Sequence, residues 1–518
     1  MINLTEIARI FMRARVNAAS RWADPDGMER TQRRVLERLL SRAADTVVGR
    51  RYGFRFLGGY ENFAARVPVV AYEDIRPEVE RMVHGERDVL WPGLTRNFAQ
   101  SSGTSGGKSK YIPVTEEGLR RNHYAGTRDV VANYLALYPE SRLFGGRSFI
   151  LGGSFANELG GLPHGVRVGD LSATLIDRIP AVAEFYRVPS RRVALMSDWS
   201  EKLPALVDAA IGQDITNISG VPSWFLTVLR AVMAKAGADT IHDVWPNLEV
   251  FFHGGIAFGP YREQYRAITD PAKMRYLETY NASEGFFACA DTIDGKGMRL
   301  LADNGVFFEF LPVDSDGDPH PEALPAWKVE PGQVYALAIT SCNGLWRYAI
   351  GDTVRVESVE PLRITVAGRT KCFINAFGEE LMVHNTDTAI AETCAATAAA
   401  IADYTVAPVY TDAHRRGRHQ WLVEWASEPQ GGTDAFAAEL DRRLCALNSD
   451  YQAKRAGTIF LDGPEIVSLP AGSFDRWLAR TGKLGGQRKV PRLSNDRHIA
   501  DEILAHEYKQ NDIPTRKR

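Results

Sequence analysis

Three short stretches of this chain carry side chains whose types and spacing suit phosphate and sugar chemistry. The first, Ser101-Ser-Gly-Thr-Ser-Gly-Gly-Lys-Ser-Lys110, packs Ser, Thr and Gly densely and ends in two lysines. Glycines let backbone N–H groups approach phosphate oxygens, hydroxyls add donors, and a lysine neutralises charge. Ser102, Gly103, Thr104, Ser105, Gly106 and Lys108 are therefore candidates for contact with a polyphosphate. The stretch is not a Walker A loop. Ser102 stands where that motif needs Gly, and a strand pattern rather than a helix follows. Taken alone it also reads as a flexible polar linker. Linkers seldom lie between apolar strands such as those at Phe98-Ala99 and Tyr111–Thr115.

The second stretch, Glu278-Thr-Tyr-Asn-Ala-Ser-Glu284, follows a short strand expected at Met274–Leu277 into a turn. Tyr280 offers a ring to a base, Ser283 a hydroxyl, and Glu284 a carboxylate for Mg²⁺, which prefers carboxylate and phosphate oxygens. The other reading is a capping turn with a surface glutamate. The third, Leu345-Trp-Arg-Tyr-Ala-Ile-Gly-Asp352, is an apolar strand expected to run into Gly-Asp at its end. A carboxylate there accepts two hydrogen bonds from a ribose diol; the alternative is a plain turn aspartate. His253, beside Gly254-Gly255, reads equally as a structural turn histidine and as a substrate contact.

Rigid elements must position these groups. Apolar residues at helical spacing predict helices over residues 4–45, Glu73–Val83, Glu116–Tyr138 and Ser223–Lys235, and broken helices over 171–210. Short apolar runs predict strands at Ser148–Leu151, Ile215–Gly220 and Leu248–Phe252. Gly49–Phe54 is expected to turn the chain. Beyond residue 371 the pattern is small and α+β: a helix over Asn385–Asp403, a strand at Gln420–Glu424 and a helix over Thr433–Leu447. The alternation predicts an α/β core of stacked sheets, with functional groups where strands end in loops.

Composition narrows the class. At 518 residues the chain has room for more than one domain, and a net charge of −2 gives no bulk electrostatic case for nucleic acid or membrane. Five scattered cysteines without a C-x-x-C pair argue against a zinc site or a disulfide framework. The N-terminus lacks a signal-peptide pattern, and no apolar run approaches the roughly 20 residues of a membrane span, so a cytoplasmic protein is expected.

The three stretches, followed by Gly368-Arg-Thr-Lys371, stand in the order found in adenylate-forming enzymes. In detail the chain resembles the GH3 family of acyl-acid amido synthetases, over nearly its whole length to about Ile503. Ser101–Lys108 is similar to that family's phosphate loop, Tyr280–Glu284 to its second motif and Tyr348–Asp352 to its third. Gln487-Arg-Lys-Val-Pro-Arg492 resembles its terminal loop. The resemblance implies a large N-terminal α/β domain for ATP and the acid, residues 1–368, and a smaller mobile C-terminal domain, residues 369–518. It implies ATP and Mg²⁺ as cofactors and a small carboxylic acid and an amino acid or other amine as partners. By matching position, Ser102–Ser105 bind phosphates, Tyr280 and Ser283 face adenine, Glu284 lies by Mg²⁺ and Asp352 holds ribose. Arg369, in the hinge at Gly368–Lys371, is implied to contact the nucleotide, and Lys489, with Lys483 second, is the lysine expected to reach the transferring phosphate.

The implied reaction has two halves. A carboxylate attacks the α-phosphate of ATP, giving an acyl-adenylate and pyrophosphate; an amine then takes the acyl group and AMP leaves. Plant members of the family carry Arg where this chain has Ala349, and Arg347 is the nearby substitute. Arg347, Lys371 and Lys483 are available to hold an amino acid's carboxylate. The rival readings are a coenzyme A ligase, a phosphotransferase and a non-catalytic nucleotide-binding protein.

Overall fold

A computed structural model describes residues 3–101, 110–155, 159, 161–256, 258–293, 296–313, 319–369, 373–410, 416–456, 461–480 and 490–511. Two compact units divide the chain, one ending with the strand Leu362–Arg369 and the other beginning at Phe373–Ile374.

The first unit opens with the helices Thr5–Ala18 and Pro25–Ala43. Between them Asp24 accepts a hydrogen bond from the Gly27 N–H at 2.7 Å, with Pro25 in the first helical position. Leu36, Leu39 and Leu40 are buried on one face of the second helix. Arg33 and Arg38 stay outside, in ion pairs with Glu29, Glu61 and Glu117. Gly49–Phe54 is more than a turn. Val47–Tyr52 forms a short helix capped by Thr46 and closed by Gly53 at φ 69°.

Among the described residues one sheet of 12 strands dominates this unit, beside a separate sheet of three. Arg187–Val188, Arg147–Ile150, Ile215–Gly220, Val250–His253 and Arg275–Ala282 lie side by side in parallel. Helices Leu171–Asp177, Trp199–Ala210 and Pro222–Ala236 connect them. From Arg275–Ala282 onward the neighbours are antiparallel, through Gly285–Cys289, Met298–Leu300, Leu362–Arg369, Tyr348–Val359, Val334–Ser341 and Val306–Pro312. The second stretch thus stands where parallel pairing gives way to antiparallel. The antiparallel part wraps an apolar interior that includes Phe287, Leu300, Phe308, Leu337, Ile339, Tyr348, Val354 and Ile364.

In the second unit a helix, Val383–Thr397, ends sooner than its alanine-rich sequence predicts. Ala398 turns the chain at φ 51°, and Ala400–Val409 is a strand paired along Arg418–Ser427. Alanine favours helix by propensity alone. Pairing, and the burial of Tyr404 and Val406 against Trp421 and Phe436, override it. No described helix is long and apolar enough to cross a membrane.

Candidate functional site

The strands flanking the first stretch are as expected. Asn97–Ser101 and Lys110–Val114 pair antiparallel, with Ser101 opposite Lys110. Ser102, Gly103, Thr104, Ser105, Gly106 and Lys108 lie outside the described residues. Lys110 is described: its ammonium lies over the Tyr72 ring, 5.9 Å from the centroid, and the Tyr72 hydroxyl accepts from the Tyr111 N–H.

The second stretch differs in length and shape from expectation. Its strand runs from Arg275 to Ala282, well past Leu277, so Tyr280 is a strand residue and not a turn residue. Ser283 and Glu284 form the two-residue turn to Gly285–Cys289, with Ala282 opposite Gly285. Close turns of this kind fix a side chain on a hairpin tip. Glu284 is buried, and the Tyr280 ring packs edge-on to Phe287 at 5.1 Å.

Asp352 is likewise not at a strand end. The strand begins at Tyr348 and continues to Val359, so Gly-Asp lies near its start. Ala336 pairs with Thr353 while Ala338 pairs with Ala349, leaving extra residues on the Asp352 strand. This is a bulge, and Gly351 at φ 91° supplies the left-handed backbone it needs. A second irregularity follows against the strand Leu362–Arg369, where Asp352 stands opposite Arg369. Bulges re-aim side chains, and here the carboxylate turns into the curled sheet. The Tyr280 hydroxyl donates to Asp352 Oδ2 at 2.8 Å. Four strand spacings separate these residues along the sheet, about 19 Å if it were flat. Only a strongly curled sheet brings them together.

Two asparagines that the sequence reading passed over brace the same region. Asn343 Nδ2 donates to the Glu284 carbonyl at 3.2 Å, while its Oδ1 accepts from the Thr115 N–H at 3.1 Å. Asn122 clasps the next residues: Oδ1 accepts from the Phe286 N–H and Nδ2 donates to the Phe286 and Asn304 carbonyls. Asn122 sits in the π-helical turn Leu119–His123, a local widening often found at functional sites. Thr115 caps the helix start by accepting from the Gly118 N–H. A Cβ at Gly118 would collide with the Asn343 amide. Gly118→Ala is therefore expected to displace Asn343 and loosen the Glu284 turn, costing about 1–3 kcal/mol as overpacking does. A urea midpoint equal to that of the wild type would refute this.

Arg347 is committed elsewhere and does not serve as a free site cation. Its Nε and Nη2 donate to the Glu309 carboxylate at 2.8–3.0 Å, and Nη1 donates to the carbonyls of Ala64 and Val67. The side chains of this pair are 7% and 0% exposed. Burial at the sheet's interior favours a paired guanidinium over a solvated one. His253 ends the parallel strand Val250–His253, stacked on Phe258 at 4.2 Å. Burial, with the charge of Arg262 adding to it, pushes its imidazole down to about 3, so the ring is neutral. Its Nδ1 is buried without a hydrogen-bond partner among the described residues. Arg369 is described only as a strand residue, and Lys371, Lys483 and Lys489 lie outside the described residues. Among the described residues no group of three or more His, Cys, Asp or Glu side chains is placed to hold a metal.

Family models match along most of the chain: the GH3 family N-terminal domain over residues 26–177 and 164–274, the central domain over 299–369 and the C-terminal domain over 384–498. The chain belongs to the GH3 family. This GH3 chain is 27% identical to the indole-3-acetic acid-amido synthetase GH3.4 of Arabidopsis thaliana, across 64% of its own length and 65% of the relative's. It is 25% identical to the probable indole-3-acetic acid-amido synthetase GH3.2 of Oryza sativa subsp. japonica, across 90% and 88%. Its fold is that of the GH3.15 acyl acid amido synthetase in complex with 2,4-DB, with a TM-score of 0.61 at 18% identity, covering 96% of each chain. The fold extends to 2-hydroxyisobutyryl-CoA ligase, with a TM-score of 0.56 at 14% identity, covering 93% and 92%. Within the GH3 chain, Asp352 lies in the central-domain match, and the Tyr280–Glu284 hairpin lies between the N-terminal and central matches.

Proposed function

We propose that this GH3 chain is an ATP-dependent acyl-acid amido synthetase. It adenylates a carboxylic acid and passes the acyl group to an amino acid or other small amine, releasing pyrophosphate and then AMP. The observation that carries the reading is the Tyr280–Asp352 hydrogen bond, through which the second and third stretches meet. In this reading Asp352 grips the ribose, Tyr280 and Ser283 border the adenine, and the loop at 102–108 holds the phosphates. Glu284 fits Mg²⁺ in a particular way. Mg²⁺ commonly takes one or two carboxylates and completes its shell with substrate phosphates and water, so a single buried glutamate suffices when the metal arrives with the triphosphate. Held there, the metal would supply neutralisation of phosphate charge, and Glu284 would be the residue that holds it. Lys489 and Arg369, the division at residues 368 and 369, and a cytoplasmic setting belong to the same proposal.

Product analysis tests it. Acid-stimulated exchange of pyrophosphate into ATP is expected, with AMP as the final nucleotide and an amide conjugate visible by mass spectrometry. ADP would indicate phosphoryl transfer. A thioester with coenzyme A and no amide from any amino acid would replace the amide reading, since a coenzyme A ligase shares the fold.

A further inference from the structure

One cluster of charged and polar groups stands beside this site and is not used by it. His253 and Glu278 are register partners on adjacent parallel strands, so their side chains leave the same face of the sheet. Phe251 and Tyr276, one step back, share that face. Phe258 covers it, stacked on His253 at 4.2 Å and 4.9 Å from Tyr276. The Arg262 guanidinium lies over Phe258, 5.3 Å from its centroid. Together they form an aromatic floor with a guanidinium and a carboxylate at its rim.

Both rim charges are uncommitted. Arg262 and Glu278 are exposed, and neither makes an ion pair among the described residues. Arg262 lies over Phe258, Phe258 stacks on His253, and His253 is the register partner of Glu278, so the three are neighbours. Crowding by protein raises the Glu278 carboxyl's pKa although the side chain reaches solvent. Glu278 thus has protein on one side and solvent on the other. The floor adds a third signal: the buried Nδ1 of neutral His253 has no partner among the described residues. Glu278 precedes Tyr280 by two residues on the same strand, about 7 Å, so this cluster borders the nucleotide-side residues directly.

We infer that Arg262 and Glu278 bind the acyl acceptor, an α-amino acid, with the guanidinium on its carboxylate and the Glu278 carboxylate on its ammonium. A zwitterion offers opposite charges a few ångströms apart, and the rim offers their complements over an apolar floor. Arg presents a planar donor fork to a carboxylate. The neutral imidazole of His253 adds polarity to the floor without a third charge that would compete. The assignment supplies the cation that Arg347, locked to Glu309, cannot. It rests on the amide-forming reading.

The experiment compares the intact wild-type chain with Arg262→Gln and Glu278→Gln, both at exposed positions. Acid-dependent pyrophosphate exchange is measured without amine, and the amide-forming rate is measured against amino acid concentration. Exchange at the wild-type rate with an acceptor KM raised about tenfold or more, the loss expected for a charged hydrogen bond, supports the site. Arg262→Lys, which keeps the charge, is expected to recover part of the loss. An unchanged acceptor KM in both Gln variants overturns the inference, and so does loss of exchange in both, which would place them in adenylation. Saturation-transfer NMR with free amino acids reads the site independently of turnover. Amino-acid binding that both variants weaken supports the site even if the wild type shows no exchange, an outcome that would instead remove the reading of function.

Discussion

Asp352→Ala is expected to abolish acid-dependent pyrophosphate exchange in a protein that still folds, and Glu284→Ala to do the same. Asp352 is 8% exposed and held by the Tyr280 hydroxyl, so its carboxylate is oriented before any nucleotide arrives. Hydrogen bonds to an ionised group contribute about 1.5–3 kcal/mol each. Two ribose hydroxyls lost together would weaken ATP binding by roughly a hundredfold or more. Tyr280→Phe separates orientation from contact. It leaves the carboxylate in place and removes only one donor that orients it, so a loss clearly smaller than that of Asp352→Ala is expected in that variant. Asp352→Asn, close in shape, should behave like Asp352→Ala if charge matters and like Tyr280→Phe if it does not. Wild-type exchange in folded Asp352→Ala and Glu284→Ala would remove both residues from the site. Far-ultraviolet circular dichroism and the urea midpoint establish folding for each variant.

Arg347→Ala is expected to destabilise the first unit by about 3–5 kcal/mol, the cost of leaving a buried carboxylate unpaired. Glu309 is fully buried, and burial raises its carboxyl's pKa even with Arg347 beside it. Tyr60 supplies a hydroxyl to the same carboxylate. The arginine also holds two carbonyls, of Ala64 and Val67, and its backbone sits at φ 45°. Removing it frees the end of the helix Gly59–Arg66 as well as Glu309. The apolar double variant Glu309→Leu with Arg347→Met removes both charges and is expected to recover much of the loss, since buried pairs rarely exceed apolar packing in net worth. Urea unfolding followed by tryptophan fluorescence checks this, because Trp346 is buried next to Arg347 and its Nε1 donates to the Leu90 carbonyl. A single variant as stable as the wild type would show that the pair bears no weight, and a double variant as unstable as the single would assign the loss to the carbonyl contacts instead.

The kinds of groups present, and the short-range elements that carry them, are legible from residues adjacent along the chain. The two strands Asn97–Ser101 and Lys110–Val114 follow from the apolar runs flanking a Ser/Gly tract, and the pairing of Ser101 with Lys110 is their local consequence. Asp24 and Thr115 cap their helices through residues three positions on, a purely local arrangement. The family was legible for the same reason: its motifs are contiguous, and the matched domains span residues 26–498 with few gaps.

How groups far apart in sequence meet depends on long-range strand pairing. Tyr280 and Asp352 are 72 residues apart and four strands apart, and no local pattern states that the sheet curls enough to join them. The bulge at Gly351-Asp352 exists only relative to the partner strand, so the Gly-Asp pair read as a strand end when seen alone. Asn343 and Asn122 looked like any polar residues until the backbone they hold, at Glu284 and Phe286, was brought beside them. Arg347 shows the same limit for charge. An arginine's type is written in the sequence, but whether it faces a ligand or a buried glutamate 38 residues away depends on which strands become neighbours. Local sequence sets propensities over a few residues, whereas a site is assembled by long-range pairing, and its distances follow from the sheet's curvature and register.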